Sequence, residues 1–224
     1  FMKRKSKWLL VVFAMIFALG ITGMTGCGSE DDQTEASATW GDNYAALIES
    51  GEARDFSEYD DMKAELDGFR EESGAFYVYV MSPTEDGEIV LECEDPDEVP
   101  FFITVDGSEE PDDWGVDYGW EIQFSESWNG EPAAARSAWN DSEEEQCWSG
   151  FAPVYDSEGN VVCILGVDFP CTEVIADYPE WNRDSDEWNG FEDEIEGDVP
   201  QEVQDMMDNV TGLADKYAKI LSGE

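Results

Sequence analysis

The stretch that most constrains what this chain can fold into runs from Cys147 to Phe169, CWSGFAPVYDSEGNVVCILGVDF. An apolar and aromatic run through Val154 meets the polar segment Asp156-Ser157-Glu158-Gly159-Asn160, and a Val/Ile/Leu-rich run ending in Gly166-Val167-Asp168 follows. Two such runs around a turn-forming segment predict a β-hairpin. On a period of two, Val162, Ile164, Gly166 and Asp168 share one face of the second strand, and Val161, Cys163, Leu165 and Val167 share the other. The first face ends in a small residue and a carboxylate, which leaves room and a charged acceptor for a ligand. Asp168 ahead of Phe169-Pro170 equally fits the cap of a turn.

A hairpin needs a core, and the composition limits what surrounds it. The 224 residues include 55 acidic and 11 basic side chains and no histidine, for a formal net charge of −44. With 42% hydrophobic residues, including 9 Trp, 8 Tyr and 12 Phe, a packed core is within reach, so the charge belongs on the surface. Such a surface repels phosphates and anionic headgroups, which argues against nucleic acid as a partner. Absence of histidine removes imidazole bases, triads and His-based zinc sites together. Among 55 carboxylates, pairs at any spacing arise by abundance alone and single out no catalytic pair. The expectation is a chain that is not an enzyme, with no cofactor and no metal site.

Residues 2–26 read as a signal peptide, with Met2 taken as the initiator. Lys3, Arg4, Lys5 and Lys7 form a basic start, and Trp8 to Gly20 is almost unbroken apolar sequence. No charge occurs from Trp8 to Ser29, long enough for a membrane-spanning signal anchor as well. Met24-Thr25-Gly26-Cys27, followed by Gly28-Ser29, resembles the lipobox of bacterial lipoproteins, which implies lipidation of Cys27 and a location at the extracytoplasmic face of the cell membrane. Removal of residues 1–26 would leave 7 basic against 55 acidic residues, a charge of −48 over 198 residues. Residues 27–42 are expected to be the lipidated Cys and a flexible tether.

Two helices should follow. Tyr44, Leu47 and Ile48 give a short apolar face closed near Gly51. Phe56, Tyr59, Met62, Leu66 and Phe69 recur at spacings of three and four, with Asp55 or Ser57 as a cap and Gly74 past the end. The surface this helix covers is supplied by Ala75 to Met81, an aromatic and β-branched strand ending at Pro83. Ile89-Val90-Leu91 is a candidate for local pairing, and Phe101 to Asp106 is a second core strand. The acidic stretches 106–117 and 182–193 fail the EF-hand pattern, having Pro111 and Glu187 where glycine is required, and read as solvated loops. Trp120, Phe124 and Trp128, four apart and stopped by Gly130 and Pro132, predict a short helix, although the alternation of Trp120, Ile122 and Phe124 also fits a strand. Ala133 to Trp139 is expected as a third strand carrying Arg136, and 140–146 as an acidic loop. After the hairpin, Thr172 to Ala176 continues outward to a break at Tyr178-Pro179, Trp181 to Gly197 wraps irregularly, and Pro200 to Leu221 forms an amphipathic helix that packs on the domain.

This order predicts an α+β fold: a PAS-like antiparallel five-stranded sheet backed by a long N-terminal amphipathic helix, with a C-terminal helix. Phe76-Tyr77-Val78-Tyr79-Val80 after Glu72-Ser73-Gly74, Trp128-Asn129-Gly130-Glu131-Pro132-Ala133, the run Ser149 to Val162, and Leu165-Gly166-Val167-Asp168 together resemble an extracytoplasmic Cache domain, the sensor module of bacterial chemoreceptors and histidine kinases. The resemblance covers residues 43–178 and leaves 179–224 as an acidic wrap with the C-terminal helix. It implies a small ligand, such as an amino acid, organic acid or amine, bound between the sheet and the crossover. The matching positions are Arg136, Trp139, Asp141 and Asp168, with Tyr79 as a wall. Cache receptors continue from here into a membrane helix and a signalling module. Since this chain stops at Glu224, the expectation is a binding module that presents its ligand state to a membrane signalling or transport partner. The alternative is a degenerate Cache fold serving as a structural or partner-binding surface lipoprotein, stabilised by cations. Cys93, Cys147, Cys163 and Cys171 permit three pairings, of which no more than one bridge is expected.

Overall fold

A capping box sets the first helix, α1 (Trp40–Ser50): the Thr39 side chain accepts from Asp42 N–H at 3.1 Å, and the Asp42 carboxylate accepts from Thr39 N–H at 2.8 Å. The expected tether therefore yields to helix two residues before position 42. The computed structural model describes residues 38–85, 88–89, 95–112, 114–188, 190 and 198–224. Residues 2–26, Cys27, Val90, Leu91, Cys93 and residues 191–197, on which several expectations fall, lie outside them. Among the described residues, no helix is long and apolar enough to cross a membrane.

Helix α2 (Tyr59–Ser73) buries Tyr59, Met62, Leu66 and Phe69 along one face, as their spacing predicts. It starts later than expected, without a side-chain cap, and ends where Gly74 turns left-handed at φ 75°. The strands are β1 (Tyr77–Glu85), β2 (Glu88–Ile89), β3 (Phe101–Asp106), β4 (Val116–Gly119), β5 (Ala133–Ala134), β6 (Trp139–Asn140), β7 (Gln146–Tyr155) and β8 (Val161–Pro170). They pair antiparallel in the order β4-β3-β1-β8-β7-β5, with β2 on β1 and β6 on β7. The α+β architecture and its antiparallel sheet are as expected.

One face of the sheet is closed by α1, α2 and the C-terminal half of α5 (Gln201–Leu221). Val78, Val80, Ala152, Cys163, Leu165 and Val167 pack there against Tyr44, Leu47, Leu66, Ala214, Tyr217 and Leu221. Fully burying one such aliphatic side chain contributes about 1.5–3 kcal/mol. Phe69 stacks on Tyr217 at 4.4 Å and 16°, joining α2 to α5. Helix α5, beyond residue 179, is thus part of the same core. The opposite face carries Tyr79, Met81, Ile103, Phe151 and Ile164, covered by Phe124 and Trp128 of α3 (Ile122–Trp128).

Four local expectations are corrected. Residues 116–119 form an additional edge strand instead of loop and helix, because Phe101 and Phe102 of β3 offer an open ladder to pair with. The expected third strand is interrupted: β5 and β6 hold two residues each, and Arg136 lies between them. Thr172–Asp177 is a short helix, α4. A bulge in the hairpin sets Tyr155 opposite Val161 and Val154 opposite Cys163, so Val162 is the extra residue. Val162 packs with the α1/α2 side and Val161 with the other, reversing the predicted alternation there, while Ile164, Gly166 and Asp168 keep it.

Candidate functional site

Alternation along β8 delivers Asp168 to the face away from α1 and α2, cross-strand from Tyr77 of β1 and Ser149 of β7. A carboxylate only 1% exposed needs partners. The Tyr79 hydroxyl donates to Asp168 Oδ1 at 3.2 Å, and the Ser149 hydroxyl donates to the same carboxylate while accepting Trp139 Nε1–H at 3.1 Å. Asp168 is therefore a buried member of a hydrogen-bond network rather than a turn cap. Burial pushes its pKa up to about 7; the Asp106 and Glu121 charges add to that, and the bonds from Ser149 and Tyr79 oppose it.

A cavity of about 250 Å³ opens beside this carboxylate, lined by Tyr77, Tyr79, Ile103, Asp106, Tyr118, Trp139, Asp141 and Asp168 together with Glu110 and Asp112. Its walls are aromatic and preset. Tyr77 stacks on Trp139 at 6.4 Å and 24°, and Tyr79 packs on Tyr118 at 5.9 Å and 41°. Tyr77 donates to Asp141 Oδ1 at 2.8 Å. Desolvation raises the phenols of Tyr77, Tyr79 and Tyr118, so they stay protonated donors at neutral pH. Asp106 is occupied by its own loop, accepting from Ser108 N–H at 2.8 Å, from the Ser108 hydroxyl and from Asp112 N–H at 2.7 Å.

A second cavity, of about 350 Å³, also has Tyr118 and Trp139 in its lining and adds Asp117, Glu121, Ala135, Ser149, Phe151 and Arg183. Arg183 is paired to Glu121 there, Nη1 to Oε1 at 2.9 Å.

Four of the residues singled out in the sequence, Tyr79, Trp139, Asp141 and Asp168, line the first cavity together. Arg136 does not. Its guanidinium pairs with Glu126 at 2.6 Å and lines a separate depression with Met207 and Asp208. Tyr77 lies two residues before Tyr79 on β1, and strand alternation from the Tyr79 that the resemblance pointed to would have reached it. Tyr118, Asp106 and Glu121 had no such signal, because their positions depend on the register of β3 and β4. Among the described residues no basic side chain lines the first cavity, and the aromatic faces and carboxylates that do are complementary to a positively charged nitrogen.

Among the described residues, no group of three or more His, Cys, Asp or Glu is arranged to hold a metal ion. Cys147, Cys163 and Cys171 are free and buried, and burial pushes the Cys171 thiol up to about 12. Such thiols are poor nucleophiles at neutral pH.

No family model matches the chain, and no curated protein does. Among solved structures it is similar to the ligand-binding domain of the Campylobacter jejuni chemoreceptor Tlp3, crystallised with 4-methylisoleucine: 14% identity over 58% of this chain and 49% of that one, at a TM-score of 0.35. It is also similar to the periplasmic domain of RsbU from Chlamydia trachomatis, with 13% identity over 59% and 46% and a TM-score of 0.33. A putative GAF sensor protein from Burkholderia vietnamiensis matches at 12% identity over 85% and 97%, with a TM-score of 0.31. The chain spans about half the length of the first two. Likenesses this distant carry no argument about function, which rests on the cavity itself.

Proposed function

We propose that this protein is a non-enzymatic small-molecule sensing or binding module whose ligand carries a positively charged nitrogen. It is held at the extracytoplasmic face of the cell membrane by a lipid on Cys27 and presents its ligand state to a membrane protein. The observation that supports the ligand class is the buried Asp168 carboxylate beneath Tyr79, in a cavity with aromatic walls and, among the described residues, no basic side chain. An ammonium there meets a carboxylate, phenol oxygens and ring faces at once, and each contact is strengthened by exclusion of water. Organic acids, which the sequence resemblance allowed equally, meet only like charge in that cavity.

Calorimetric titration with primary amines, amino acids and dicarboxylates tests the reading, with Asp168→Ala as the control. Amine binding that disappears in the variant is expected. Dicarboxylate binding with amine binding absent would overturn it. For the anchor, metabolic labelling with a radioactive fatty acid should mark the protein and not the Cys27→Ser variant.

A further inference from the structure

Four of the described residues that line the first cavity are aromatic, and three of these have their polar hydrogens turned into the protein. Tyr77 donates to Asp141 Oδ1 at 2.8 Å, Tyr79 to Asp168 Oδ1 at 3.2 Å, and Trp139 Nε1–H to Ser149 Oγ at 3.1 Å. What these rings keep for a ligand is π surface and edge. Donation to a carboxylate also polarises a phenol, which makes its ring face more negative. The neighbouring carboxylates are engaged as well. Asp168 is buried and holds the Tyr79 and Ser149 hydroxyls, while Asp106 accepts from Ser108 N–H, the Ser108 hydroxyl and Asp112 N–H. A primary ammonium entering here gives up water at three N–H groups, each of which then needs an acceptor. At Asp168 it competes with hydroxyls already in place.

From this arrangement we propose that the ligand's charged nitrogen carries methyl groups in place of hydrogens, a trimethylammonium group seated among Tyr77, Tyr79, Tyr118 and Trp139 with Asp168 as its counter-charge. The inference rests on the cation-binding reading above and fixes the substitution of that nitrogen. A trimethylammonium group has no N–H to satisfy, so it leaves water at lower cost than a primary ammonium. Its charge lies on the methyl surface, where ring faces within about 6 Å attract it and a carboxylate acts through space without a hydrogen bond. The rings stand in two pairs beside the carboxylate, Tyr77 with Trp139 at 6.4 Å and Tyr79 with Tyr118 at 5.9 Å between centroids.

The test is titration calorimetry on the full chain in mild detergent at pH 8, where Asp168 is ionised. Four probes are compared: 2-aminoethanol, its N,N-dimethyl and N,N,N-trimethyl derivatives, and 3,3-dimethyl-1-butanol, which keeps the shape of the trimethyl compound and lacks its charge. Affinity should rise with each methylation, the trimethyl compound binding about tenfold or more tighter than 2-aminoethanol and about tenfold or more tighter than the uncharged alcohol. Trp139→Leu, which keeps apolar bulk and removes the ring, should weaken the trimethyl compound by more than it weakens 2-aminoethanol and so narrow the preference for methylation. Tyr118→Leu, on the edge strand β4, is the second variant if Trp139→Leu disturbs the fold. Binding of 2-aminoethanol as tight as that of the trimethyl compound, or a methylation preference unchanged in both variants, overturns the inference and leaves the proposed function standing. Binding of the uncharged alcohol as tight as that of the trimethyl compound, or failure of every charged probe, overturns both.

Discussion

The ring of Tyr79 occupies the space that a side chain at Gly166 would fill. The two residues are cross-strand partners on β1 and β8, and a Cβ on Gly166 would lie 2.6 Å from Tyr79 Cε2 and 2.7 Å from Cζ. That room lets the hydroxyl reach Asp168, the next residue on the same face. Gly166→Ala is expected to push the ring aside, at a cost of about 1–3 kcal/mol in unfolding free energy, and to weaken amine binding with it. Urea denaturation and calorimetry measure the two effects. Unaltered affinity in a folded variant would show that Tyr79 need not sit where it does.

Asp168 makes stability depend on pH in a direction opposite to most carboxylates. In the folded protein its pKa is about 7, against 3.8 for an ordinary aspartate, so between those values the fold holds a proton that the unfolded chain has released. Its contribution is fully present below about pH 4, declines as pH rises and is gone above about 7, a total of roughly 4 kcal/mol. Asp168→Asn should therefore gain stability relative to the unaltered protein as pH rises from 5 to 7. Amine binding should run the other way, tightening from pH 6 to 8 as Asp168 ionises beside Tyr79, Ser149, Asp106 and Glu121, and becoming flat in the variant. Parallel pH profiles for both proteins would show that Asp168 titrates normally.

Arg136 is expected to be dispensable for binding. It pairs with a partly exposed Glu126 away from the cavity, an arrangement worth less than about 1 kcal/mol. Arg136→Ala should keep amine affinity within about twofold and unfold at nearly the same denaturant concentration. A large loss of binding would move the site to the depression beside α5.

Gly150 carries α5 across the sheet. A Cβ there would meet Val210 O at 2.3 Å and its carbonyl carbon at 2.4 Å, both backbone atoms that have no rotamer to yield. Gly150→Ala should detach the middle of α5, costing about 3 kcal/mol or more. Hydrogen exchange should show protection lost first around Val210 and Ala214, with α2 following only at global unfolding. Uniform protection across α5 would refute this.

The same residues mark where the sequence could be read and where it could not. Tyr59, Met62, Leu66 and Phe69 announce α2 because helical spacing alone brings them to one face, and Ile164, Gly166 and Asp168 announce theirs because a strand alternates. Both signals are local. The bulge at Val162 broke the alternation for one position, since an extra residue in one strand is invisible without its partner. Arg136 was misplaced for a related reason. The segment between Ala134 and Trp139 leaves the ladder, so strand parity no longer says which way a side chain points.

By itself the sequence determined the acidic character, the hairpin, the amphipathic helices and the position of Asp168 on a small-residue face, because each follows from composition or from the period of neighbouring residues. Only the tertiary structure decided that Tyr77 and Tyr118 wall the cavity, that Asp106 turns its carboxylate into its own loop and that Glu121 neutralises Arg183. Those facts depend on the register of strands far apart in the chain. The charge proposed for the ligand follows from which side chains the folded sheet sets together around one buried carboxylate.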